Sequence, residues 1–177
     1  KARRGVENAR EQIADALGAT RKEIVFTSGA TEADNQAIRS SAAMYPGGHI
    51  ITSSIEHAAV LATCRYLERI GHPVTYLQPI EQGEINVAAV TNAFQANTVL
   101  VALMHTNNET GVKTDIKKIA ELAKEKNALV FCDAVQAFDL LLYAIVLGTI
   151  AAAAALAMLV PARRAMQVEP MVALRHE

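Results

Sequence analysis

The chain has 177 residues, of which 51% are hydrophobic and 20% are charged, and its formal net charge is −1. This length allows one ordinary domain with a buried core. A chain so close to neutral has no general electrostatic attraction for nucleic acid, so we expect no nucleic-acid partner. Cys64 and Cys132 are too few for a disulfide framework and have no Cys or His at metal-ligand spacing, so we expect no metal site.

The composition changes sharply near residue 138. Charged residues are scattered as far as Asp139, none occurs from Leu140 to Ala162, and all seven lysines lie before this break. We therefore predict two parts, 1–138 and 139–177. The sequence begins with Lys1 and has no apolar signal region beside it, so we expect no secretion signal and a natural amino terminus further upstream.

Within residues 1–138, short apolar runs alternate with longer amphipathic segments. In chain order, the pattern predicts a helix at 7–17, a strand at 24–26, a helix at 31–41, a strand at 49–52, a helix at 57–70, a strand at 74–77, a helix at 87–94, a strand at 99–104, a helix at 116–126 and a strand at 128–131. Apolar strands alternating with helices are typical of an α/β fold with a mainly parallel sheet covered on both faces.

Ligands of such folds bind beyond the carboxyl ends of the strands. Small or polar residues follow four of the five predicted strands, at 28–31, 53–57, 105–111 and 133–136, whereas the strand at 74–77 leads into an ordinary turn. This convergence predicts a binding site at one edge of the sheet.

The residues that follow the first two of these strands allow two interpretations each. Thr31, at the start of a predicted helix, either caps it in a capping-box-like pair with Asp34 or helps to bind a phosphate there. His57 is either a cap of the next helix or a flat ring that lies on an aromatic cofactor and exchanges a proton with it.

The last two of these strand ends carry an amide loop and a carboxylate. The Asn residues at 107–108 either turn the chain or present an amide to a ligand oxygen. Asp133 follows an apolar run that we predict to be buried, where a carboxylate is costly unless a cation or several donors meet it. A pyridinium nitrogen would meet it well, and Gln136 could reach the same ligand.

Taken together, these segments resemble the cysteine desulfurases of the class V aminotransferase family. The residues at 26–35, 55–57, 104–111 and 133–137 match in order and spacing, and the resemblance covers roughly four-fifths of the chain. The Asn-Asn-Glu-Thr-Gly form at 107–111 is similar to the nitrogen-fixation and iron–sulfur-cluster group. The resemblance implies part of a large domain of the aspartate-aminotransferase type, a homodimer, a cytoplasmic location and L-cysteine as substrate.

The same resemblance implies pyridoxal 5′-phosphate (PLP) as cofactor and a role for each matching residue. Ala30 and Thr31 would hold the phosphate, and His57 would stack on the ring as the catalytic proton carrier. The ring hydroxyl and the ring nitrogen would be bound by Asn108, Gln136 and Asp133, the last at the nitrogen.

Two catalytic parts of the family have no counterpart here. The lysine that binds the cofactor covalently would lie beyond the 133–137 segment, but no lysine follows Lys126. Neither cysteine matches the family's nucleophile, and both suit small buried positions. We therefore expect a truncated and inactive desulfurase, or a membrane-anchored module that binds PLP without turnover.

Residues 139–177 point to a different class of protein. The uncharged run from Leu140 to Ala162 has about the length of a helix that spans a bilayer. It and the ending that follows resemble the carboxy-terminal end of a macrolide-export-type ABC transporter permease. Arg163, Arg164 and Arg175 favour a cytoplasmic carboxy terminus, which would place residues 1–138 on the other side of the membrane. Because the two resemblances conflict, we expect a chimera of two unrelated reading frames, with a permease remnant as the alternative.

Overall fold

A computed structural model describes residues 2–137 of the chain. The chain divides into two compact units, Lys1–Asp133 and Ala134–Glu177. In the second unit the described part is a short 3-10 turn, Val135–Ala137, in which the Ala137 N–H donates to the Ala134 carbonyl over 2.9 Å. None of the helices within residues 2–137 has the length and apolar character needed to cross a membrane. The predicted helix at 140–162 and the permease-like tail lie outside the described residues.

The first unit alternates helices and strands. Its elements are α1 (Ala2–Leu17), a 3-10 turn (Arg21–Glu23), α2 (Ala30–Ala43), β1 (His49–Ser53), α3 (Ala58–Arg69), β2 (Val74–Leu77), α4 (Val87–Ala93), β3 (Thr98–Met104), α5 (Ile116–Glu125) and β4 (Leu129–Asp133). All five predicted helices and four of the five predicted strands are confirmed, although α1 begins earlier than predicted.

Within the described residues, the strands form one parallel sheet in the order β2-β1-β3-β4. Successive residues of a strand face opposite sides of the sheet, and each side has its own core. Ile50 packs with the apolar face of α2 and α3, whereas the next residue, Ile51, packs with α4 and α5. The predicted parallel sheet with two covered faces is therefore confirmed for its central strands.

The predicted strand at 24–26 is wrong. Val25 is 64% exposed and Phe26 is 45% exposed, and within the described residues this segment pairs with no strand. The Arg10 guanidinium instead stacks over the Phe26 ring and donates to the Ile24 carbonyl. A strand needs a neighbour for its backbone N–H and C=O groups, and an apolar run alone does not reveal whether that neighbour exists.

The burial predicted for the residues before Asp133 is also too great. Phe131 and Cys132 are half-buried, and Leu129 is 37% exposed, because β4 is the edge of the sheet within the described residues. Cys64 is fully buried, as expected. Asp133 is therefore half-buried and less desolvated than its apolar neighbours suggested.

Candidate functional site

The carboxyl ends of β1, β3 and β4 meet at one edge of the sheet. Met104 lies opposite Asp133 in the register of β3 and β4, and the backbone N–H of His105 donates to the Asp133 carbonyl over 2.8 Å. The β1 end is followed by Ser54 and the segment that leads to His57. The loops predicted to carry the site therefore start next to each other, as expected for parallel strands.

The amino terminus of α2 contributes Ala30 and Thr31, which are its first two residues and are both exposed. The predicted capping pair of Thr31 with Asp34 is wrong, because the cap is Gly29. A Ser28–Glu32 pair closes this end instead. The Glu32 Oε2 atom accepts hydrogen bonds from the Ser28 N–H over 2.7 Å and the Ser28 Oγ over 2.6 Å. The first-turn N–H groups of a helix favour an anion, which is consistent with phosphate binding. The phosphate-binding role of Ala30 and Thr31 stays a prediction.

Asp34 lies on the buried face of α2, in line with Ile38 and Ala42. It is 4% exposed, and its Oδ2 atom has no hydrogen-bond partner within the described part of the chain. Burial raises the pKa of the Asp34 carboxyl to about 6, the negative charge of Asp133 adds to this, and His57 partly opposes it. Asp34 is thus electrostatically coupled to both predicted site residues, although sequence reasoning considered it only as a cap.

Glu56 is a second buried carboxyl, 5% exposed, directly before His57. The Ser53 Oγ donates to its Oε1 atom over 2.5 Å, whereas its Oε2 atom has no partner within the described residues. Burial raises the pKa of Glu56 to about 7; hydrogen bonds from Ser53 and the Met104 backbone lower it in part, and Asp133 and Asp34 raise it further. Near neutral pH, Glu56 is therefore divided between its neutral and charged forms.

His57 caps α3 and also faces the site. The Ala59 N–H donates to its Nδ1 atom over 3.2 Å, so the capping interpretation is confirmed. Because Nδ1 is the acceptor, the proton of a neutral ring resides on Nε2. The exposed His57 lines a cavity of about 600 Å³ together with Asn108, Glu109 and Leu61.

The loop after β3 turns at Asn107. The Asn107 Oδ1 atom accepts from the backbone N–H groups of Glu109 and Thr110 over 3.0 and 2.9 Å. This turn leaves Asn108 exposed at the cavity. The turning role predicted for the 107–108 pair therefore belongs to Asn107.

The structure brings some predicted residues together and leaves others apart. His57 and Asn108 share one cavity, and the charges of Asp133 and His57 both act on the Asp34 carboxyl. Thr31 lines a separate open depression of about 810 Å³. Gln136 lies in the second unit of the chain, so its role stays a prediction.

Sequence reasoning missed Asp34 and Glu56 as parts of the site. The signal for Asp34 was a carboxylate at the helical spacing of Ile38 and Ala42, and for Glu56 a carboxylate between Ile55 and a candidate catalytic histidine. Three carboxyls at one edge of the sheet suit a ligand with a cationic ring nitrogen, and the amino terminus of α2 suits an anionic group.

Comparisons with known proteins identify relatives of this chain. The profile of the family described as "Aminotransferase class-V" matches residues 1–140. The cysteine desulfurases IscS of Buchnera aphidicola and Pseudomonas aeruginosa are 49% and 53% identical to the chain over 138 residues. Each alignment covers 77% of this chain and 34% of the relative, so the chain spans about a third of the length of the curated relatives it matches.

Two solved structures are similar in fold as well as in sequence. DndA from Streptomyces lividans matches with a TM-score of 0.72 and 40% identity, covering 77% of this chain and 39% of that one. A structure described as SspA in complex with cysteine matches with a TM-score of 0.73 and 46% identity, covering 77% and 40%.

Replacing Glu56 by Gln is expected to remove part of the pH dependence of stability. Since burial raises the Glu56 pKa from 4.5 to about 7, the folded chain keeps a proton that the unfolded chain loses, and stability falls as pH rises between these values. We expect Glu56→Gln to match the wild type at pH 4.5 and to exceed it at pH 8 by about 1–3 kcal/mol. Urea unfolding across this range measures the difference. The exposed Glu125→Gln is the control, and an unchanged slope in Glu56→Gln would contradict the assignment.

Proposed function

The chain belongs to the class V aminotransferase family, and from this premise we propose that residues 1–138 are a segment of the PLP-binding domain of a cysteine desulfurase. Such an enzyme removes sulfur from L-cysteine, leaves alanine and supplies the sulfur for iron–sulfur cluster assembly. The observation that carries the proposal is the meeting of His57, Asn108 and the carboxyl cluster around Asp133 at one edge of the sheet. The identities of 49% and 53% to proteins described as cysteine desulfurases support it. For residues 1–138 taken apart from residues 139–177, the same proposal includes a homodimer and a cytoplasmic location.

The residues present fit PLP. Two buried carboxyl oxygens, Asp34 Oδ2 and Glu56 Oε2, have no hydrogen-bond partner within the described residues, so the cluster around Asp133 has acceptor atoms available to a protonated ring nitrogen, whose charge would favour the ionised carboxylates. In the proposed arrangement Asp133 holds that nitrogen, and Ala30 and Thr31 bind the phosphate through the first turn of α2. When bound, PLP supplies an electron sink for bond breaking at the substrate carbon.

His57 and Asn108 face the cavity and supply the other contacts. Asn108 would bind the ring hydroxyl from this cavity. The role of Gln136 toward the same hydroxyl rests on the family resemblance alone. The His57 ring would stack on the cofactor ring, as the family resemblance implies. Its Nδ1 atom accepts from the Ala59 N–H, so the neutral ring carries its proton on Nε2 and presents that N–H as a donor, whereas taking up a second proton requires Nδ1 to release the Ala59 N–H.

PLP is expected to bind the full chain saturably, in a manner that depends on Asp133. Replacing Asp133 by Asn removes the charge that pairs with the ring nitrogen, and we expect the dissociation constant to rise about tenfold or more. Absorbance titration with PLP measures it, with the exposed Asp15→Asn as a variant of equal charge change. Far-UV circular dichroism establishes that both variants fold. Equal affinities for the two variants, or no saturable binding by the wild type, would contradict the proposal.

A chain of this sequence is expected to release no alanine or sulfide from cysteine. No lysine follows Lys126, and the sulfur acceptor must be an accessible thiolate. Burial raises the pKa of the Cys64 thiol to about 11, and it also raises the pKa of Cys132, so both are poor nucleophiles. Incubation of purified protein with PLP and cysteine, with assays for both products, measures turnover. Steady release above a protein-free control would overturn the expectation.

We further propose that residues 139–177 are a permease-like membrane segment of separate origin, joined near residue 138. The support is the uncharged run from Leu140 to Ala162, which begins where the family match at 1–140 ends. We expect the full chain to sediment with membranes and to resist carbonate extraction, whereas a variant with Ala152→Arg and Leu156→Arg is released. Release of the unaltered chain by carbonate would contradict membrane insertion.

A further inference from the structure

We propose that Asn107 is a positioning residue that ties the segment before His57 to the loop that carries Asn108. Its side-chain amide bridges the segments that follow β1 and β3. The backbone pairing of these two strands ends at Thr52 and Ala102, before the bridge is reached. The inference rests on the proposed function, because its purpose is to hold the two cavity-facing residues in a fixed relation. The proposed function assigns Asn107 no bond to the ligand.

The oxygen of the Asn107 side chain organises its own loop. Besides the two backbone N–H groups at 109 and 110, the Oδ1 atom accepts from the Thr110 Oγ1 over 3.1 Å. The Asn107 backbone adds to this, since its N–H donates to the Val112 carbonyl and its carbonyl accepts from the Gly111 N–H, both over 2.9 Å. All these bonds lie within residues 107–112, and they account for the shape of the loop alone.

The nitrogen of the same side chain points to the other strand end. The Asn107 Nδ2 atom donates to the Ile55 carbonyl over 3.1 Å and contacts the Met104 Sδ over 3.4 Å. Ile55 is separated from His57 by Glu56, whose buried carboxyl is held by Ser53. The approach to His57 is therefore fixed both from β1, through Glu56, and from β3, through Asn107.

The bridge requires an amide at this position. Asn107 is 8% exposed, so a mismatched polar atom there would have little access to water. Aspartate has the same shape and would keep the acceptor for the loop, but it would turn an oxygen toward the Ile55 carbonyl in place of the N–H donor. Asn107→Asp thus separates the bond between the loops from the bonds within the loop.

A matched variant weakens the bonds within the loop instead. Thr110 is exposed, and its Oγ1 atom donates to Asn107 and accepts from the Val112 N–H over 3.3 Å. Thr110→Val therefore loses bonds within the loop and keeps the link to Ile55. The comparison of the two variants distinguishes a residue that shapes its own loop from one that positions His57.

Hydrogen exchange of the full chain, measured by mass spectrometry, tests the bridge without PLP. In Asn107→Asp we expect exchange in residues 55–61 to rise about tenfold, and in Thr110→Val we expect the rise to be confined to residues 108–112. The Ala59 N–H, which His57 holds, is the most direct reporter. Unchanged exchange in residues 55–61 of Asn107→Asp, or the same pattern in both variants, would overturn the proposal.

PLP titration supplies a second measurement that loop stability alone would not change. We expect the dissociation constant of Asn107→Asp to rise about tenfold and that of Thr110→Val to stay within about twofold. If the wild type does not bind PLP, the proposed function fails while the exchange result still decides the role of Asn107. If Asn107→Asp raises exchange across the buried core of α5 as well, the fold has been lost; Asn107→Ser, which is too short to reach Ile55, then replaces it under the same criteria.

Discussion

Parallel pairing of β1 with β3, in which Ile51 lies opposite Val101, is the constraint on which the site depends. Because both strands run in the same direction, the chain leaves them at the same edge, and the segments before His57 and Asn108 start side by side. A slip of one residue would turn the buried Ile51 toward the wrong core and move both loops. The two cores therefore fix the register, and the register fixes the positions from which the loops can reach each other.

The carboxyl cluster at this edge is costly for the isolated fold. Asp34 and Glu56 are both almost fully buried, and the charge of Asp34 adds to the cost of ionising Glu56. Burying a charge without a cationic partner opposes folding, so a purely structural role does not explain why α2 carries a carboxylate on its buried face. A cationic ring at the edge would offset this cost, which is why the cluster supports the proposed cofactor more strongly than any exposed residue does.

Much of this arrangement was predictable from local patterns, and the failures have physical causes. Helices and central strands followed from periodicity, because their apolar residues are buried as the pattern requires. The segment at 24–26 is equally apolar, but its strand pairing depends on a neighbour that no local pattern reveals. Likewise, the resemblance indicated His57, Asn108 and Asp133, whereas the bridge from Asn107 to Ile55 joins residues 52 positions apart in the chain.

The residues of the site fall into two groups with different requirements. His57, Asn108 and Thr31 are exposed and present their side chains to the cavities, so each is accessible to a ligand but little restrained by packing. Glu56 and Asn107 are buried, and they hydrogen-bond to Ser53 and to the Ile55 carbonyl, which lie in the segment before His57. The exposed residues make few structural bonds apart from the cap that His57 forms on α3, whereas the buried pair is bonded to the segments that it supports. The geometry of the site therefore depends most on these buried residues, and their polar bonds keep the exposed side chains in a fixed relation to one another.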